Sequence, residues 1–292
     1  MKEKQILTTT KAIKWSVATA FFLVLLKFAT GILTHSMAIL ASALDSTMDL
    51  AISIVNLIAA REAAKPPDED HAYGHGKIES LAGLLQSLLI GVSGLYVIFE
   101  SVKRLIYGTY IQIIPLGIGV MLLAMLISLS LVWRLRMTAR ENKSLILSTE
   151  TLHYVTDVTT NGGTVVALLL VQFTHFPVWD LGVSIAVSFY VFRMAYRILR
   201  QAVDELLDRS LPPVPKEEIE KIIQEFSPSV VGLHNFRSRQ VGAQIFLDFH
   251  IEIRGEDDFK KAHTMTESLI ARIQTHYPGA DVTVHYDPEG EI

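Results

Sequence analysis

Six stretches of this chain stay apolar for about as long as a lipid bilayer is thick, and no other feature restricts its fold so strongly. They run approximately over 15–33, 38–60, 80–102, 113–134, 148–171 and 178–197. Each is close to the ~20 residues a helix needs to cross the hydrocarbon core. The chain has 292 residues and is 50% hydrophobic, with a mean hydropathy of +0.35. A soluble chain of this length rarely averages out apolar. The apolar runs fill the first two-thirds, whereas the last third is polar and rich in Asp and Glu. The expected architecture is therefore a helical membrane domain over 1–208, with six transmembrane helices, and a water-soluble domain over 209–292.

The lysines at 2, 4, 11 and 14 before the first run superficially resemble the start of a signal peptide. The run from Trp15 to Leu33 is long enough to span, and no convincing cleavage site follows, so an uncleaved first helix is expected. Basic residues also cluster at Arg61, Lys65 and Lys77, at Arg134, Arg136, Arg140 and Lys143, and at Arg193, Arg197 and Arg200, with only Lys103 and Arg104 on the opposite side. The positive-inside rule then puts both termini in the cytoplasm. The net charge of −4 is small and points to no nucleic-acid partner.

After Asp208 the Leu-Pro-Pro-Val-Pro string at 211–215 stops the last helix. Beyond it, a short helix is predicted over 216–225 and a strand over 229–238. A cleanly alternating strand follows over 243–253, then an amphipathic helix over 258–276 and a strand over 281–286. This α-β-β-α-β order is a small α+β domain.

The second and fifth runs are the least apolar because they carry ionisable residues. Asp45 and Asp49 lie four apart and share a helix face, and His153 and Asp157 repeat that spacing. A charge at the bilayer centre costs ~2.5–3.5 kcal/mol even on a lenient insertion scale, so four such groups must face each other or a hydrated path. Pairing with a membrane cation is the simpler alternative, but Lys27 is the one obvious partner, and one lysine cannot neutralise three carboxylates. Together the four offer three oxygens and one imidazole nitrogen, a set that suits tetrahedral Zn²⁺. The chain has no cysteine, which counts against Cu(I) and leaves Zn, Fe(II), Mn, Co or Cd. Clustered carboxylates and a histidine couple their titrations, so departure of a metal invites protons in its place.

Two further clusters stand out. In the loop after the second run, Asp68, His71 and His75 are within reach of one ion, although a solvated acidic loop with incidental histidines fits the spacing equally well. In the C-terminal third, Ile245, Leu247, Phe249, Ile251 and Ile253 alternate onto a core face. His250 then points the other way, as do His285 and Asp287 in the last strand. His234 and His263 could complete a cluster, although each histidine taken singly reads as surface decoration.

The Asp45-x-x-x-Asp49 and His153-x-x-x-Asp157 pairs, the six runs and the α-β-β-α-β tail resemble the cation diffusion facilitator family, most of all its bacterial zinc/iron efflux members. The likeness covers nearly the whole chain. It implies a homodimeric, proton-coupled exporter of divalent metal in the inner membrane, with a metallochaperone-like cytosolic fold. It implies Zn²⁺ first, with Cd²⁺ and Fe²⁺ as further candidates, since manganese members tend to carry Asp where this chain has His153. The His71-x-x-Gly74-His75-Gly76-Lys77 string resembles the family's loop zinc site. His234, His250, His263, His285 and Asp287 resemble its cytosolic binuclear site, with Asp287 as bridge. Tyr286 departs from members in which that position can ligate. Lys77 and Asp208 match positions that form an interprotomer charge interlock.

Two competing readings are a membrane-anchored metal sensor without transport, and an intramembrane hydrolase. The sensor would not need intramembrane ligands. The hydrolase lacks a His-Glu-x-x-His motif and a Ser or Cys nucleophile constellation, so no enzyme activity is expected.

Overall fold

A computed structural model describes residues 2–34, 37–107, 115–142, 144–174, 176, 178–210, 213–242, 244–254 and 259–290. Residues 113–114 of the fourth predicted span, Lys143, Leu211, Pro212 and residue 258 lie outside the described residues. The chain divides into two compact units, one of Glu3–Val203 and one that begins at Asp204.

The first unit holds six long helices: α1 (Lys2–Thr34), α2 (Met37–Ala63), α3 (Lys77–Tyr107), α4 (Pro115–Asn142), α5 (Leu145–Thr174) and α6 (Val178–Leu206). Several outrun their apolar stretches, and α1 starts well before Trp15. Apolarity marks where a helix meets lipid, while its backbone hydrogen bonds continue into polar sequence. Helix α2 stops short of Pro66 and Pro67, as the restricted backbone before proline requires.

Among the described residues, five candidate spans are long and apolar enough to cross a membrane, in α1, α2, α3, α4 and α6. Six helices thus stand where six apolar runs were expected. Thr149, Glu150, Thr151, His153, Thr156 and Asp157 lower the apolarity of α5. Helix α5 packs against α2, α3 and α4, and Leu145, Ile146, Leu147, Thr149, Glu150, Leu152, His153 and Tyr154 are all buried. The outer helix faces instead expose Phe21, Leu95, Phe99, Trp133 and Phe189, the surface a bilayer would cover.

The second unit continues with α7 (Pro213–Phe226), β1 (Val230–Val241), β2 (Gln244–Ile253), α8 (Phe259–His276) and β3 (Asp281–Pro288). The sheet order is β1-β2-β3, with β1 antiparallel and β3 parallel to β2. A hairpin turning at Gly242, with φ 57°, makes the first pairing. Helix α8 provides the crossover that a parallel pair requires. Ile219 and Ile223 of α7, Leu247, Phe249 and Ile251 of β2, and Leu269 and Ile273 of α8 form one core. Helix α7 begins earlier than predicted, at Pro213, because proline is tolerated in a first helical turn.

Candidate metal centres

Asp49, His153 and Asp157 each turn one ligand atom to a common point, with those atoms within 4.8 Å of one another. His153 Nε2 lies 3.2 Å from Asp49 Oδ1 and 3.8 Å from Asp157 Oδ2. It is buried and makes no hydrogen bond of acceptable geometry. Ligand atoms this close without a hydrogen bond suit an ion held between them. The imidazole is braced edge-on by Tyr154, with ring centroids 5.4 Å apart. Asp45 does not join this group and is exposed on α2. The structure therefore assembles three of the four residues expected here.

One turn along α5 lies a polar knot that sequence reasoning missed. The Glu150 carboxylate is fully buried and accepts hydrogen bonds from Ser16 of α1, from Ser53 of α2 at 2.6 Å and from Asn56 of α2. Asn56 Nδ2 also donates to Gln86 Oε1 of α3 at 3.0 Å. The available signal was position: Glu150 precedes His153 by three residues and so shares its face. The serines, Asn56 and Gln86 are uncharged and gave none. At the start of α5, Glu79 of α3 accepts from Ser144 Oγ and, at 2.8 Å, from the Ile146 N–H. A side chain of another helix thus satisfies N–H groups that α5 leaves open.

Asp68, His71 and His75 also gather within 4.8 Å. Asp68 lies 3.3 Å from both histidines, through Oδ1 to His71 Nδ1 and through Oδ2 to His75 Nε2. The His71 N–H donates to Asp68 Oδ1 at 2.7 Å. That bond holds the Asp68 carboxyl below the usual carboxylate range. Gly74 turns the chain with φ 82°, a conformation glycine adopts without strain.

In the sheet, His234 pairs with His250 across β1 and β2, and His250 with His285 across β2 and β3, so three histidines form one row. Asp287 serves them all. Its Oδ2 lies 3.0 Å from His250 Nδ1 and 3.2 Å from His234 Nε2, and its Oδ1 lies 3.2 Å from His285 Nε2. The carboxylate thus faces ligands with both oxygens, as a bridge would. His234 Nε2 is buried without a hydrogen bond. The hydrogen bond with His250 is the main reason the Asp287 carboxyl sits below the usual range. His263 stays outside this group, exposed on α8 and stacked on Phe259 at 6.3 Å. Tyr286 packs against the hydrophobic core, as strand alternation dictates, and so does not take up a ligand position. Lys77 is the first residue of α3. Asp208, with φ 52°, forms an ion pair with Arg239 at 3.3 Å.

Two family models match the chain. Residues 13–207 match a family model described as the cation efflux transmembrane domain. Residues 211–289 match one described as the cation efflux protein, cytoplasmic domain. The cation-efflux pump FieF of Salmonella arizonae is 36% identical over 276 residues, which cover 94% of this chain and 90% of that protein. The FieF of Salmonella schwarzengrund shows the same identity over the same span. Among solved structures, the metal-bound C-terminal domain of the CzcD transporter from Thermotoga maritima is 29% identical. It covers 27% of this chain and 92% of its own, with a TM-score of 0.26.

Proposed function

This chain belongs to the cation efflux, or cation diffusion facilitator, family, and from that premise we propose that it exports Zn²⁺ from the cytoplasm in exchange for protons. The observation that carries the reading is the convergence of Asp49 and Asp157 oxygens with His153 Nε2, from two helices inside the bundle. Two oxygens and an imidazole nitrogen suit zinc, with Cd²⁺ and Fe²⁺ as further substrates. Asp45, one turn along α2, supplies the fourth ligand once the helices shift.

The exchange for protons follows from the same chemistry. Asp49, His153 and Asp157 bind either a divalent cation or protons, and burial of His153 makes an unfilled site costly. The domains divide at 1–208 and 209–292, both termini are cytoplasmic, and the bilayer is the inner membrane. The protein works as a homodimer. The row of His234, His250 and His285 with Asp287 holds regulatory zinc, and Asp68, His71 and His75 hold a loop zinc. An interprotomer pair of Lys77 with Asp208 would have to displace Arg239 from Asp208. A metal sensor without transport would have no use for ligands on two membrane helices.

Metal flux into proteoliposomes under an imposed pH gradient tests the reading. Asp49→Ala should abolish zinc flux, and His153→Asp should shift preference from zinc towards manganese. Wild-type zinc flux in Asp49→Ala would sink the proposed path, and an unchanged metal preference in His153→Asp would remove His153 as the selectivity element.

A further inference from the structure

The one lysine within the apolar stretch of α1 is Lys27. Its Nζ donates to Ser46 Oγ at 2.7 Å and approaches the Ser42 carbonyl at 3.4 Å, both on α2. Ser46 is buried and sits directly beside Asp45, three residues before Asp49. From there the ammonium is within electrostatic reach of Asp49, Asp157 and Asp45. It is nevertheless tethered to a hydroxyl and a carbonyl rather than to a carboxylate. A lysine stem is long and flexible, so the head can swing without any movement of the helix.

We propose that Lys27 is a tethered counter-ion of the transport site, a positioning residue that stands aside for the metal and turns to the carboxylates when the metal leaves. The proposal rests on the transport-site reading above. Ionised Asp45, Asp49 and Asp157 carry three negative charges against the single positive charge of Lys27. The remaining two are what one divalent cation cancels, with His153 bound as neutral imidazole. Glu150, a turn away, stands outside this count, held by three neutral donors of its own. In the loaded carrier Lys27 therefore balances the third of these aspartates from its seat on Ser46. In the empty carrier it leaves two carboxylates unmatched instead of three, which lowers the cost of reorienting with no metal aboard. Hydrogen bonding to Ser46 keeps the ammonium from blocking the metal.

The test compares two modes of Zn²⁺ transport by the full-length protein in proteoliposomes. Net uptake requires the empty carrier to return, whereas zinc-for-zinc exchange keeps it loaded in both directions. For Lys27→Met, net uptake should fall at least about tenfold while exchange stays within about threefold of wild type, because without Lys27 the empty form holds three unmatched carboxylates and the loaded form only one. Lys27→Arg, which keeps the charge, should restore net uptake. The proposal is overturned if both modes fall together in Lys27→Met, if neither falls, or if Lys27→Arg fails to rescue. Asp49→Ala run alongside separates the two readings. Should it retain net uptake and exchange, the transport site itself is misassigned, whatever Lys27→Met does.

Discussion

Replacing Glu150 by glutamine tests whether the buried carboxylate ties three helices together as an ion. The side chain keeps its shape, but the acceptor loses its charge. Glu150 receives hydrogen bonds from Ser16, Ser53 and Asn56, and its residue is fully buried. A bond to a charged group contributes ~1.5–3 kcal/mol and a neutral one ~1 kcal/mol, so three weakened bonds cost about 3 kcal/mol in Glu150→Gln. Glu150→Ala should cost more, since it strands all three donors and opens a cavity. At ~2–4 °C per kcal/mol for a chain of this size, the glutamine variant should melt about 6–12 °C lower. The assay is thermal unfolding of the full-length protein in one detergent, read by the fraction that remains monodisperse on size exclusion. A midpoint for Glu150→Gln equal to or above that of wild type would refute the reasoning. The carboxyl would then be a neutral acid, or a charge whose desolvation outweighs its bonds.

Two other outcomes are expected. Asp287→Ala removes the carboxylate shared by His234, His250 and His285, and should weaken zinc binding at the cytosolic row by about 10–100-fold in isothermal titration. Because the folded-state value of Asp287 lies below the ordinary one, its contribution is present above the unfolded carboxylate pKa of ~3.9 and is lost as pH falls through the lower folded value. Denaturant unfolding of wild type and Asp287→Asn should therefore differ above about pH 4 and converge below it. Gly163→Ala places a methyl 2.7 Å from Val187 Cγ2, where α5 meets α6. It should lower the same detergent melting midpoint, and Val187→Ala in the same chain should recover most of the loss. No recovery would mean that the α5–α6 contact is not what the methyl disturbs.

What could be read in advance follows from how far each rule reaches along the chain. Helical spacing placed Asp49, His153 and Asp157 on the right faces, because i, i+4 geometry is internal to one helix. It put Asp45 on the same face as Asp49, and Asp45 lies exposed beside the three gathered ligand atoms rather than among them. It was silent on Ser16, Asn56 and Gln86, because neutral side chains in a membrane run carry no conspicuous cost, and only helix packing sets them against Glu150. In the sheet, alternation assigned His250, His285 and Asp287 to the outer face. It could not align His234 with them, since the β1 register shifts after His234, next to Asn235 at φ 52°. His263 was offered as completing that cluster, but no periodicity rule tied its helix to the row.

The same difference in reach separates the three clusters functionally. The loop group is closed within eight residues, from Asp68 to His75, and is pinned by the His71 N–H on Asp68. It can survive any rearrangement of the helices. The cytosolic row is stitched by backbone pairing at 234↔250 and 250↔285, so breaking it means opening a sheet. Only the membrane group depends on two helices, α2 and α5, joined through side chains alone. A turn of one helix against the other would separate Asp49 from His153 and Asp157 while leaving each helix intact. A site that must bind tightly on one side of a membrane and release on the other needs that property. Of the three, the membrane group is the one that a helix shift alone would open.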